Sequence, residues 1–301
     1  MALSSRGIKG LEACLPGLAD EILLHATPMQ GRMVHMANGK QEGQAYDAHG
    51  RSINSIDRQL LSEVLISAAE RHPNVKVFFD HKLIRYDCKT KNVLIFETES
   101  GLVTEEADLV IGADGAHSVV RKGMMRLSRM DYSQKYIDCD WCELSIPAGE
   151  FDGKKYFKIS PNWLHIWPRK KFLFIALPNE DMSFTCTLFM PPSMFSSIKT
   201  GELAVAFFKK HFQDALELIG ENELRKQYMQ NSKNTLMTLN CSPLYAKDKC
   251  ILVGDAAHSK CRIYVVIAQF FFSFFFFFFF FCVYTNYSNG TVLWTRDECW
   301  F

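Results

Sequence analysis

Two segments of this 301-residue sequence each end an apolar run in a Gly/Asp pair, just before small residues that can open a helix. The first is Leu109-Val-Ile-Gly-Ala-Asp114-Gly115-Ala-His-Ser118, continuing to Val119-Val120-Arg121; the second is Ile251-Leu-Val-Gly254-Asp255-Ala256-Ala257-His258. At the carboxyl end of a strand in an open α/β sheet, ligands bind and a helix start presents free N–H groups to phosphate. An Asp there can accept hydrogen bonds from ribose or ribityl hydroxyls, and Gly lets a backbone approach closely. Each Asp could equally cap its own helix. Two such segments, about 140 residues apart, favour a nucleotide cofactor over two unrelated caps.

Other reactive side chains are less informative. His35, His117, His165 and His258 are candidate acids or bases, but their spacing selects none; His117 and His258 read as packing or local hydrogen-bonding residues beside the two motifs. In Leu164-His-Ile-Trp167 the Trp reads as core. Cys139 and Cys142 have metal-pair spacing, yet no second pair accompanies them and Asp140 lies between, so a structural role is expected. No metal site is expected.

The elements that must position these residues follow from periodicity. Leu60, Leu61, Val64, Leu65, Ala68 and Ala69 mark one face of a helix, with Arg58 at its start. Val75 to Phe79, Val93 to Phe96, Leu102-Val103 and the run from Ala107 to Gly112 read as strands, the last one buried on both faces, with a helix from near Ala116. A helix followed by strands implies an α/β unit. From about Tyr132 the pattern changes to strands at 156–159, 163–167, 172–177 and 184–190, separated by Pro, Gly or Asn turns, which suggests an antiparallel sheet in a second domain. Leu203 to Ile219 reads as one amphipathic helix, and 250–253 as a final buried strand.

Composition limits the classes. With 34 Lys+Arg against 33 Asp+Glu, the net charge of +1 gives no reason to expect nucleic acid as partner. The 10 cysteines are irregularly spaced and read as reduced thiols. The N-terminus carries no apolar stretch of signal-peptide length. Of the 25 Phe, eleven fall between Phe270 and Phe281, broken only by Ser273. The uncharged segment from Ile263 to Tyr284 reaches the ~20 residues that cross a bilayer.

Asp114-Gly115 with Arg121 resembles the DG motif of the flavoprotein aromatic hydroxylases, and Gly254-Asp255-Ala-Ala-His258 resembles their GD motif. Within that group, Pro28 to Met33, His72-Pro73 through Val77, Asp131 to Ile137, Leu164 to Arg169 and Ser183 to Pro191 are similar to the kynurenine 3-monooxygenase family, over about residues 2 to 259. The resemblance implies a mixed α/β fold: a partial Rossmann-like FAD-binding domain at 1–130, an inserted antiparallel-sheet substrate domain at 131–240, and a return to the FAD-binding domain at 241–260. It implies FAD and NADPH as cofactors and L-kynurenine and O₂ as substrates, with hydroxylation of the ring next to its amine. Arg58, Leu83 (through its backbone), Asp114, Gly115, Gly254, Asp255 and Ala2 match FAD-site positions, and Arg32 and Tyr46 match the residues that hold the substrate carboxylate. That last task suits a guanidinium fork and a phenol donor. No protein side chain is expected to be catalytic, because the cofactor carries the chemistry.

The sequence also departs from the family pattern. No GxGxxG turn occurs, and the similarity stops at Ser259-Lys260-Cys261, before the family's Pro, Gly-rich turn and C-terminal anchor. The expectation is an enzyme truncated at its N-terminus, with a non-native Phe-rich tail at 261–301. The resemblance implies the cytosolic face of the mitochondrial outer membrane. The competing expectation is a noncatalytic fragment of that enzyme, with membrane association as an option.

Overall fold

The computed structural model describes residues 1–47 and 50–259, and the backbone of two further strands, Phe281–Asn286 and Thr291–Thr295. The Phe270–Phe281 run, the candidate span at 263–284 and the expected tail at 261–301 lie outside the described residues except where they overlap those strands. Among the described residues no helix is long and apolar enough to cross a membrane. The chain divides into two compact units, residues 1–61 with 137–236 and 262–275, and residues 62–136 with 237–261 and 276–301. The break within the expected 1–130 domain therefore falls at 61/62.

The first unit carries most of six strands of an eight-stranded sheet, in the order Asp131–Ile146 (from Ile137 on), Phe184–Met190, Leu173–Pro178, Trp163–Pro168, Gly31–His35 and Gln41–Ala45. Among these six, all neighbours are antiparallel except Gly31–His35, which pairs parallel to Trp163–Pro168 with Leu164 beside Arg32 and Ile166 beside Val34. Strand alternation sorts the side chains. Cys142, Leu144, Ile146, Trp167, Phe174, Ala176, Phe184, Cys186, Leu188 and Met190 lie in one buried cluster with Phe208, Phe212, Leu216, Leu224 and Tyr228 from the helices Gly201–His211, Gln213–Ile219 and Glu221–Gln230. The intervening positions, Glu143, Thr187, Ile175, Ile166, Val34 and Arg32 among them, point to the other face. Each buried aromatic contributes about 1.5–3 kcal/mol of apolar transfer. The rings of Phe172, Phe174, Phe208 and Phe212 add tilted and edge contacts at 5.3–5.7 Å.

Two expectations are corrected in this unit. The single helix expected from Leu203 to Ile219 is two helices that break at Phe212, which has φ −144° and ψ 48°. Phe212 is fully buried, and apolar spacing continues on both sides of the break, so periodicity does not reveal it. The break also starts a new helix with Asp214 in its first turn, where the helix dipole favours an anion. The strand expected at 156–159 is Lys154–Tyr156, a short hairpin partner of Gly149–Phe151. Cys139 and Cys142 lie three apart on one strand, so their side chains point to opposite faces, and burial pushes the Cys142 thiol up to about 11.

The second unit contains the strand Leu109–Ala113 parallel to Cys250–Leu252, with Val110 beside Cys250 and Gly112 beside Leu252. On its other edge Leu109–Ala113 pairs antiparallel with Phe281–Asn286, followed by Thr291–Thr295 and then Val75–Phe78. A separate three-stranded meander, Lys82–Asp87, Asn92–Thr98 and Gly101–Ala107, carries Leu83. The helix Val119–Met124 starts three residues later than expected, because Ser118 is its N-cap. The helix Arg58–Glu70 opens at Arg58, as its apolar face indicates.

Candidate functional site

In the second unit the two Gly/Asp motifs stand side by side at the carboxyl ends of the parallel pair. The Val253 amide donates to the Gly112 carbonyl at 2.9 Å, extending the ladder to the second motif. Gly112 is required by packing: a Cβ there would lie 2.8 Å from Val120 Cβ and 2.9 Å from Leu252 Cδ2. Gly254 (φ 58°) and Gly115 (φ 73°) hold left-handed backbone at the turns themselves.

The two aspartates do different things. Asp114 accepts from the Ser118 hydroxyl at 2.5 Å and from the amides of Val119 and Val120 at 2.6 and 3.1 Å. Its carboxylate is thus the cap of the helix that follows. Asp255 is half-buried in the turn Gly254–Ala256, and among the described residues its carboxylate makes no hydrogen bond. Burial raises its pKa and the nearby His258 opposes this. A carboxylate that is partly desolvated and has no donor among the described residues fits a ligand bearing hydroxyl groups. Leu83 buries its side chain with Phe96, Val110 and Ala256, and its pairing with Phe96 precedes a β-bulge at Ile84. Arg121, almost fully buried, joins the motifs by donating to the carbonyls of Ala116 and Ala256.

In the first unit Arg32 lies with its guanidinium 5.6 Å from the centre of the Tyr46 ring. Burial pushes the Tyr46 phenol up to about 12, with Arg32 opposing, so Tyr46 remains an O–H donor. Tyr46 packs against the cluster of Met29, Ile53 and Leu177, which Ala2, Leu164 and Ile175 also border. A cation and a phenol donor beside an aliphatic sheet face suit a molecule with a carboxylate at one end and a flat apolar body. Arg58 is half-buried; burial lowers its pKa, and Glu143 and Asp57 oppose that. Glu143, whose pKa burial raises and Arg58 lowers, is reachable by solvent yet crowded by protein. Sequence reasoning missed Glu143, although its place between Cys142 and Leu144, both core, already puts it on the opposite face. Of the residues expected at the FAD and substrate sites, Ala2, Arg32, Tyr46 and Arg58 lie in the first unit, and Leu83, Asp114, Gly115, Gly254 and Asp255 in the second.

Residues 11–261 match the family model described as FAD binding domain. The chain belongs to this FAD-binding family. It is 45% identical over 266 residues to a protein named kynurenine 3-monooxygenase from Candida albicans, and 42% identical over 272 residues to one so named from Yarrowia lipolytica. Each of these comparisons covers 88% of this chain and 58% of the relative, so the chain spans a little over half the length of the proteins it matches. Among solved structures, 2-methyl-3-hydroxypyridine-5-carboxylic acid oxygenase superposes with a TM-score of 0.66 at 20% identity, covering 87% of this chain and 65% of that one. The p-nitrophenol 4-monooxygenase of Pseudomonas putida gives 0.64 at 14%, covering 89% and 65%. These two share the fold.

Proposed function

We propose that the complete protein is an FAD-dependent monooxygenase that uses NADPH and O₂ to convert L-kynurenine to 3-hydroxykynurenine, in tryptophan degradation. The observation that carries this reading is Arg32 set over Tyr46 beside the aliphatic face, in a chain 40–45% identical to proteins bearing that enzyme's name. Bound FAD would supply electron transfer from NADPH and activation of O₂. Arg32 would grip the substrate carboxylate with its guanidinium fork while the Tyr46 hydroxyl donates to the same group. Leu164, Ile175 and Leu177 would cover the aromatic body and exclude water.

The residues suit the cofactor. Asp255 would accept from ribityl hydroxyls, and the left-handed turn at Gly254 would bring backbone close to the flavin. By resemblance Arg58 and Ala2 are also FAD-site positions, and Leu83 would contribute its backbone at the bulge. Asp114 and Gly115 would act by fixing the helix start. Attachment to the cytosolic face of the mitochondrial outer membrane is part of the proposal, by resemblance alone.

The test is flavin absorbance in the purified full-length protein, followed by NADPH oxidation with and without L-kynurenine. Bound FAD with kynurenine-stimulated oxidation supports the reading. A folded protein without flavin overturns it, and flavin without stimulation overturns the substrate assignment.

A further inference from the structure

A polar network, buried at His35, His165 and Trp167 and half exposed at Asp214, lies on the helix-facing side of the first unit's sheet, away from Arg32. His35 Nε2 and His165 Nδ1 are 2.8 Å apart, and both side chains are 3% exposed. His165 Nε2 lies 2.8 Å from the Ser160 carbonyl, which can only accept, so that nitrogen carries the proton. Burial, the largest effect, drives the His165 pKa down to about 4; the Ser160 carbonyl opposes this and His35 adds to it. His165 is therefore neutral near pH 7, its Nδ1 accepts, and His35 Nε2–H donates. The other His35 nitrogen, Nδ1, is 3.2 Å from Asp214 Oδ2, an ion-pair distance without the angle of a full hydrogen bond. The same Asp214 oxygen accepts from Trp167 Nε1 at 2.7 Å, and the Trp167 ring stacks on His35 at 4.0 Å. The backbone end of the strand is held too, since Arg169 donates to the His35 carbonyl at 3.0 Å and to the His211 carbonyl at 2.8 Å.

The strand so held is Gly31–His35, which carries Arg32 on its opposite face. Its own pattern specifies register poorly: Gly31, Met33 and His35 face one way, Arg32 and Val34 the other, and its second neighbour, Gln41–Ala45, is polar and largely exposed. Because strand side chains alternate, a slip of one residue would turn Arg32 to the helix-facing side. A buried donor–acceptor pair is satisfied in one register only, which gives it more specificity than an apolar contact of equal size.

We propose that the His35–His165 pair, braced by Asp214 and Trp167, is a register pin that positions Arg32 for the carboxylate of the substrate. Both histidines are positioning residues, and the inference rests on the substrate role given to Arg32 above. The four groups come from three separated stretches of chain, the strand 31–35, the strand 163–168 and the helix 213–219, so the pin fastens this edge of the sheet to its helical layer.

The test uses His35→Leu, His35→Gln and the double variant H35L/H165L in the full-length protein. It reads KM and kcat for L-kynurenine, flavin content, and amide hydrogen exchange of residues 31–35 in the ligand-free protein. His35→Leu should raise KM by roughly tenfold while kcat and flavin content stay within about twofold, with faster exchange confined to that strand. His35→Gln, whose amide N–H can replace Nε2–H, should recover most of the KM. Replacing both buried polar partners with apolar groups relieves the unsatisfied acceptor, so the double variant should fold even if His35→Leu does not. It should nevertheless keep the raised KM and the fast exchange. A double variant with wild-type KM and exchange overturns the pin and leaves the pair as a packing contact. Arg32→Ala serves as the control: if it leaves KM unchanged, the substrate reading fails, and the exchange of 31–35 alone then supports or overturns the pin.

Discussion

Arg121 Nη1 donates to the Ala256 carbonyl at 2.7 Å, bridging 135 positions of sequence between the two Gly/Asp motifs. A second donation, to the Ala116 carbonyl, fixes the fork inside the second unit. Replacing Arg121 with Ala should leave two carbonyls without this donor and destabilise the protein by about 2–3 kcal/mol, while lowering retained flavin. Arg121→Lys should recover only part of either effect, since an ammonium lacks the planar fork. Urea midpoints together with flavin absorbance check both.

Asp255→Asn should separate folding from cofactor binding. Burial raises the Asp255 pKa above the value it has in the unfolded chain. Its contribution to stability is therefore greatest at low pH, where it is protonated, and declines as pH rises through the folded pKa. Removing the charge should keep or raise the melting temperature of the flavin-free protein at pH 7, yet weaken FAD binding. A variant that melts earlier and keeps its flavin would contradict the role given to Asp255.

Asp114→Ala should behave in the opposite way. Three hydrogen bonds to Ser118, Val119 and Val120 are lost, and caps of this kind contribute about 0.5–2 kcal/mol. The expected result is a lower denaturation midpoint, with any flavin loss following from that. Asp114→Asn, which keeps an acceptor oxygen, should recover part of the stability.

Arg32→Ala should raise KM for L-kynurenine far more than it lowers flavin content. Arg32→Lys keeps the charge and loses the fork, so it should fall between. Tyr46→Phe removes one hydrogen bond to a charged group, worth about 1.5–3 kcal/mol or roughly 10- to 150-fold in KM. Steady-state kinetics on the three variants rank the contributions.

His165 should give the first unit a sensitivity to acid. Its pKa falls from 6.5 to about 4 on folding, chiefly through burial. The unfolded state therefore binds the proton more readily, and the stability associated with neutral His165 is complete above about pH 6.5 and is lost as pH falls toward 4. At about 1.36 kcal/mol per pH unit the full loss is roughly 3 kcal/mol. Urea titrations at pH 7 and pH 4.5 should differ accordingly, and the difference should shrink in the H35L/H165L variant.

Much of this chain is legible locally. The helix from Arg58 and the strands at 163–168, 173–178 and 184–190 follow from apolar spacing and turn residues, because burial of one face imposes a period of 3.6 or 2 on any sequence that forms the element. The break at Phe212 was not legible, since both halves of the helix bury the same kind of face. Nor was the 16-residue length of Asp131–Ile146, whose first six residues are exposed and carry no apolar pattern.

The sequence alone determined that two strand-end Gly/Asp motifs exist, that Arg32 and Tyr46 are available, and that the FAD-binding family is the one resembled; these are properties of short segments. Only the tertiary structure decided that Asp114 is a cap while the Asp255 carboxylate makes no hydrogen bond among the described residues, because that depends on which donors the folded backbone brings to each carboxylate. It also decided that His35 meets His165 and Asp214, residues 130 and 179 positions away. Such contacts exist only once strands from distant segments have paired in one register, and spacing along the chain carries no record of that pairing.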